Sequence, residues 1–109
     1  MSCMLRIPEG FEPDEVSKDA LDLELARSGV WIAEVSNADF GDTPKQVADA
    51  VAFLSLHCES LRGLPPGSCL DFGIAARDVA AQTEYFPAEL LRLAGGLGLD
   101  LVVTIYEVD

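Results

Sequence analysis

"CLDFGIAA", residues 69–76, places Leu70, Phe72 and Ile74 on one side of an extended chain and Asp71, Gly73 and Ala75 on the other. Such alternation marks a strand, because successive side chains on a pleated backbone point to opposite faces. One face is oily and must be covered; the other carries a carboxylate and two very small residues. A segment of the same kind closes the chain. In "LDLVVTIYEV", residues 99–108, Leu101, Val103 and Ile105 point one way and Val102, Thr104 and Tyr106 the other. "CMLRI", residues 3–7, reads as a further strand.

Helical signals lie between these strands. "DTPKQ", residues 42–46, opens the clearest helix: Thr43 is a capping residue, Pro44 takes the first helical position, and Gln46 sits where a capping box places Glu or Gln. It is expected to end near "RGLPPG", where Gly63 can adopt the left-handed stop and Pro65 and Pro66 cannot continue a helix. About 19 residues at 1.5 Å each make a rod of roughly 28 Å. Along it Val47, Val51, Leu54, Cys58 and Leu61 form one apolar stripe. "FPAELLRLAGG" gives a second, shorter helix with Pro87 near its start and Gly95-Gly96 as its stop. In "PDEVSKD" Pro13 suits a first helical position and Asp14 and Glu15 a first turn, so a turn or two of helix is expected there.

Residues 21–35, "LDLELARSGVWIAEV", stay open to two readings. Leu21, Leu23 and Leu25 alternate with Asp22 and Glu24, "RSG" reads as a turn, and Val30 to Val35 is β-branched and aromatic, which together make a hairpin. Continuation of the first helix through Leu25 is the alternative. With either, residues 1–109 form one α+β domain: a mostly antiparallel sheet of four to five strands with two main helices packed on one face.

The charge is lopsided, with 19 Asp and Glu against 7 Lys and Arg, a formal net charge of −12. No basic cluster is present to displace counterions from a phosphate backbone, so nucleic acid is excluded as a partner. A positively charged protein is the partner that such a field would steer and orient, while solubility alone also accounts for the acidity. The three cysteines, Cys3, Cys58 and Cys69, form no C-x-x-C pair and no disulfide framework, which fits a reducing compartment. The start lacks a basic n-region and an apolar h-region, and no apolar run approaches the ~18 residues of a membrane span. The expectation is a cytoplasmic protein without membrane contact, with a homodimer left open.

His57 and Cys58, in "SLHCES", are the only adjacent His–Cys pair. On a helix neighbours point about 100° apart, so His57 does not easily reach the Cys58 sulfur as its base. Two ligands at i and i+1 without a second spaced pair leave a zinc site short. Cys58, near the centre of the apolar stripe, reads as a buried hydrophobe and His57 as a boundary residue. The carboxylate pairs Asp14–Glu15 and Asp39–Asp42 match no calcium loop, and "GGLG", residues 95–98, follows a helix rather than a strand, unlike a phosphate loop. No catalytic residue, cofactor or metal is expected.

The second sheet face carries the functional expectation. If the oily series faces the helices, Asp22, Glu24, Asp71, Thr104 and Tyr106 project from the opposite side, with Trp31 added provisionally. Aromatic anchors set among complementary charge have the composition of a protein-binding patch. Asp22, Glu24, Trp31, Asp71 and Tyr106 are therefore the candidate partner-binding residues.

"LRI" at 5–7, "EPDEV" at 12–16, Trp31 in a mid-chain strand, and the closing "LRLAGGLGLDLVVTIY" resemble a bacterial domain-of-unknown-function family of small α+β proteins. The likeness covers both ends and thins between Leu21 and Gly29, where the family carries a Leu-Gly turn and a longer Thr- and Trp-containing loop. The resemblance implies no enzymatic activity and no catalytic residues, and some members are candidate immunity proteins. The leading expectation is thus a small acidic non-enzymatic binding module of the immunity type, neutralising a basic toxin. A small hydrolase or transferase using His57 or a carboxylate pair, and an acidic nucleic-acid mimic, are the alternatives.

Overall fold

The computed structural model describes residues 1–107 and shows an α+β fold. In chain order the elements are β1 (Cys3–Ile7), α1 (Glu15–Leu21), β2 (Glu24–Leu25), β3 (Trp31–Ser36), α2 (Thr43–Leu56), α3 (Cys58–Leu61), β4 (Cys69–Ala75), α4 (Ala88–Gly96) and β5 (Asp100–Tyr106). Val108, the end of the expected closing strand, lies outside the described residues. The sheet order is β2-β3-β1-β4-β5, antiparallel throughout except for the parallel β4–β5 pair. A parallel neighbour needs a crossover, and α4 is the helix that the β4-to-β5 connection contains.

Strand register sorts the side chains. Opposed residues share a face, so Leu5 lies beside Leu70 and Ala33, Cys3 beside Phe72, and Ile7 beside Trp31. Cys3, Leu5, Ile7, Leu70 and Phe72 are fully buried and form one core with Leu21 of α1, Val47, Ala50 and Leu54 of α2, Leu61 of α3, and Leu90 and Ala94 of α4. The alternate residues make a second face: one row of Glu24, Ile32, Arg6, Cys69 and Asp100, a second of Glu34, Met4, Asp71 and Val102, and beyond them on β4 and β5 the pairs Gly73–Thr104 and Ala75–Tyr106. Met4, Ile32 and Val102 take no part in the core.

Several element ends differ from the sequence reading. Asp42, not Thr43, caps α2, its carboxylate accepting from the Lys45 N–H. Gln46 makes no capping box; it is fully buried and its Nε2 donates to the Gly73 carbonyl at 2.8 Å. In α1 the cap is Asp14, accepting from the Ser17 N–H at 2.7 Å, and Pro13 precedes the helix. The single long rod is instead two helices broken at His57 (φ −108°, ψ 19°), which turns α3 onto α1 and carries Leu61 into the core. Gly95 and Gly96 are the last residues of α4 rather than its stop. Gly98 stops it, at φ +73°, with Leu99 N–H donating to Ala94 O and Gly98 N–H to Gly95 O, a paired closure that needs a left-handed residue.

Residues 21–25 combine the two readings. The helix ends at Leu21, Asp22 takes a left-handed conformation as its C-cap, and β2 keeps two residues paired with Ile32 and Trp31. The leucine alternation is therefore not a strand face: Leu21 is buried, Leu23 half-buried and Leu25 exposed. No helix among the described residues is long and apolar enough to cross a membrane.

Candidate protein-binding face

Asp71 occupies the middle of the second face and is only 8% exposed. A carboxylate so placed needs partners, since burying an unpaired charge is costly. It has two: Arg6 Nη2 lies 3.1 Å from one oxygen, and Thr104 Oγ1 donates to the other at 2.7 Å. Arg6 comes from β1 and Thr104 from β5, so one carboxylate ties three strands. Its charge is thereby neutralised rather than presented. Beside Arg6, burial pushes the Cys69 thiol up, with the guanidinium acting against that shift. Burial also raises the Cys3 thiol, with the charge of Asp71 adding to it. Neither sulfur has the thiolate character of a nucleophile.

The expected site residues divide accordingly. Glu24, Asp71 and Tyr106 share the second face, as alternation requires. Trp31 does not: it pairs with Ile7 on the core side, packs against the core, and its Nε1 donates to the Phe11 carbonyl at 3.1 Å, with Lys18 Nζ 5.3 Å from the ring centroid. Asp22 is a helix cap, outside any strand. Asp22 and Trp31 are displaced because residues 21–35 are not one regular hairpin.

Residues that alternation alone misses complete a local site. The loop before α2 runs alongside β4, where Ala75 N–H donates to the Phe40 carbonyl at 3.0 Å. The Phe40 ring then lies against Gly73: a Cβ there would stand 2.7 Å from Phe40 Cε1. Glycine in a strand interior otherwise only weakens it, and is retained where another group approaches closely. That is the sequence signal by which the loop could have been found. Phe40 meets Tyr106 edge-on, ring centroids 5.3 Å apart and planes at 77°.

Asp39, Phe40, Ala75, Tyr106 and Glu107 line a notch of about 390 Å³. One Asp39 oxygen accepts from the Gly41 N–H at 2.7 Å, which shapes the loop. Both rings are exposed, at 39% and 46%, and both flanking residues are anionic. Aromatic faces carry negative quadrupole density and attract cations within about 6 Å of the ring centroid. Two rings beside two carboxylates are groups with which an ammonium or guanidinium could pair.

His57 and Cys58 sit elsewhere. The His57 ring stacks at a tilt on Phe53, 4.8 Å between centroids. Cys58 is half-buried rather than sealed in the core, because the break at His57 brings it to a groove it lines with Leu54, Arg62, Arg92, Leu93 and Leu97. Among the described residues no three His, Cys, Asp or Glu side chains gather as metal ligands. No protein-family model, curated protein or solved structure matches this chain.

Proposed function

We propose that this chain is a non-enzymatic protein-binding module whose partner is a positively charged protein, docked on the second face of the sheet. The class that the sequence resemblance favours is a bacterial immunity protein that neutralises a basic toxin. One observation carries the reading furthest: the exposed Phe40–Tyr106 pair with Asp39 and Glu107 around it. A lysine or arginine side chain of the partner enters that notch, its stem on the rings and its charge against the carboxylates. Met4, Ile32 and Val102 give apolar contact beyond it, and Glu24, Glu34 and Asp100 form an anionic rim. The paired Arg6 and Asp71 supply a fixed floor. Rigid rings at the centre and charge at the margin divide affinity from steering in the usual way.

Calorimetric titration with a short arginine-rich peptide tests the reading. Binding is expected to weaken as salt rises, and Phe40→Ala and Tyr106→Ala each to weaken it about tenfold or more, the cost of losing an interface anchor. An affinity indifferent to salt and to both substitutions contradicts it.

A further inference from the structure

The sheet has two unlike edges. At one, β2 offers two residues; at the other, β5 offers seven. Asp100 N–H donates to Ser68 O, and Tyr106 O accepts from Ala76 N–H, so both ends of β5 turn their backbone groups toward the β4 side. Direction alternates along a strand, which leaves the N–H and C=O of Leu101, Val103 and Ile105 pointing outward. Among the described residues no strand pairs with them. Their side chains lie on the face that is core beneath β4, yet Val103 is 45% and Ile105 57% exposed. Protein edges are ordinarily guarded by charge, proline, a bulge or shortness. From Leu101 to Ile105 there is no charge and no proline.

We propose that β5 pairs antiparallel with β5 of a second copy, about a two-fold axis through Val103, so that one sheet runs across both chains. The occupant follows from the strand reading alike from either end. Around Val103 the flanking pairs are Val102 and Thr104, both β-branched; Leu101 and Ile105, both aliphatic; and Asp100 and Tyr106, a carboxylate and a hydroxyl. Val103 then exchanges N–H···O bonds with Val103 of the second copy, and Leu101 with Ile105, so every outward backbone group is satisfied. The same register lines Leu101, Val103 and Ile105 of both chains into one apolar stripe. Repulsion stays small at the seam because each Asp100 faces a Tyr106. The two Asp100 carboxylates stand about 20 Å apart, six steps of ~3.3 Å, which exceeds a Debye length of ~8 Å. The pairing uses the β5 edge of both copies and is two-fold, so it closes on itself at two copies.

Sedimentation of the full chain over a concentration series tests this. A dimer is expected whose population rises with concentration and also with added salt, because two chains of −12 repel less when screened. Val103→Pro removes the N–H on the axis and leaves the β4 ladder untouched, so it is expected to be monomeric with an unchanged circular dichroism spectrum. Ile105→Lys, which places like charges in the joined stripe, is expected to do the same and serves if the proline variant does not fold. A parent monomeric at every concentration, a dimer that survives in either folded variant, or growth beyond two copies overturns the proposal.

Discussion

The two faces of the sheet use the same alternating strands for opposite ends. On the core side Leu5, Leu70 and Phe72 are wholly buried, and their contribution is the apolar area they remove from water. On the second face the residues between them, Met4, Asp71 and Gly73, gain little from burial and instead fix geometry: a neutralised carboxylate across three strands and a gap that seats Phe40. The lesson is that stability and recognition are separable here residue by residue, although neighbours in sequence serve each.

Substitutions along β4 sharpen that contrast. Phe72→Ala on the core side should cost about 3–5 kcal/mol, a large part of the ~5–15 kcal/mol that holds a domain folded, as read by urea unfolding. One residue along, Gly73→Ala forces a methyl into Phe40 and should cost about 1–3 kcal/mol. Unlike Phe72→Ala it also displaces the aromatic pair, which the NMR ring resonances of Tyr106 can follow. A Gly73→Ala protein with native stability and an undisturbed Tyr106 would break the separation of roles. Asp71→Asn, keeping shape and losing charge, should cost about 1–2 kcal/mol, since Arg6 is partly open to water and screening limits what the pair contributes.

The smallest effect concerns acid. Hydrogen bonds from Lys45 and then from Ser36 hold the Asp49 carboxyl below its ordinary range, the Ser36 Oγ donating at 2.7 Å from the end of β3. A carboxyl whose pKa is lower folded than unfolded adds stability above its unfolded value, and that contribution disappears as pH falls through the folded value. Asp49→Asn should therefore be less stable than the parent near neutrality, and the difference should shrink below about pH 4. Unfolding midpoints across that interval check it; a difference constant with pH contradicts the assignment.

How much of this was legible in the sequence depends on locality. β1, β4, β5 and the α2 region announce themselves by periodicity, since each holds its pattern over five or more residues. The region from Leu21 to Leu25 does not, because a helix end, a left-handed Asp22 and a two-residue strand together imitate a strand's alternation. Parity alone places Glu24, Asp71 and Tyr106 on the second face. Burial and neutralisation of Asp71 were not foreseeable, as they depend on Arg6 and Thr104 from distant strands. Phe40 is signalled only indirectly: Gly73, far along the chain, reports that some group approaches β4 closely, and nothing local in "DFGD" says which.

Mapping backbone amide shifts of the full chain during titration with an arginine-rich peptide tests the central claim most directly. The account predicts changes confined to the second face and its notch, at Phe40, Gly73, Ala75, Thr104 and Tyr106, with the core-side helices silent. Shifts gathered instead on the acidic first helix around Glu15 and Asp19, or spread evenly over the surface, would contradict it.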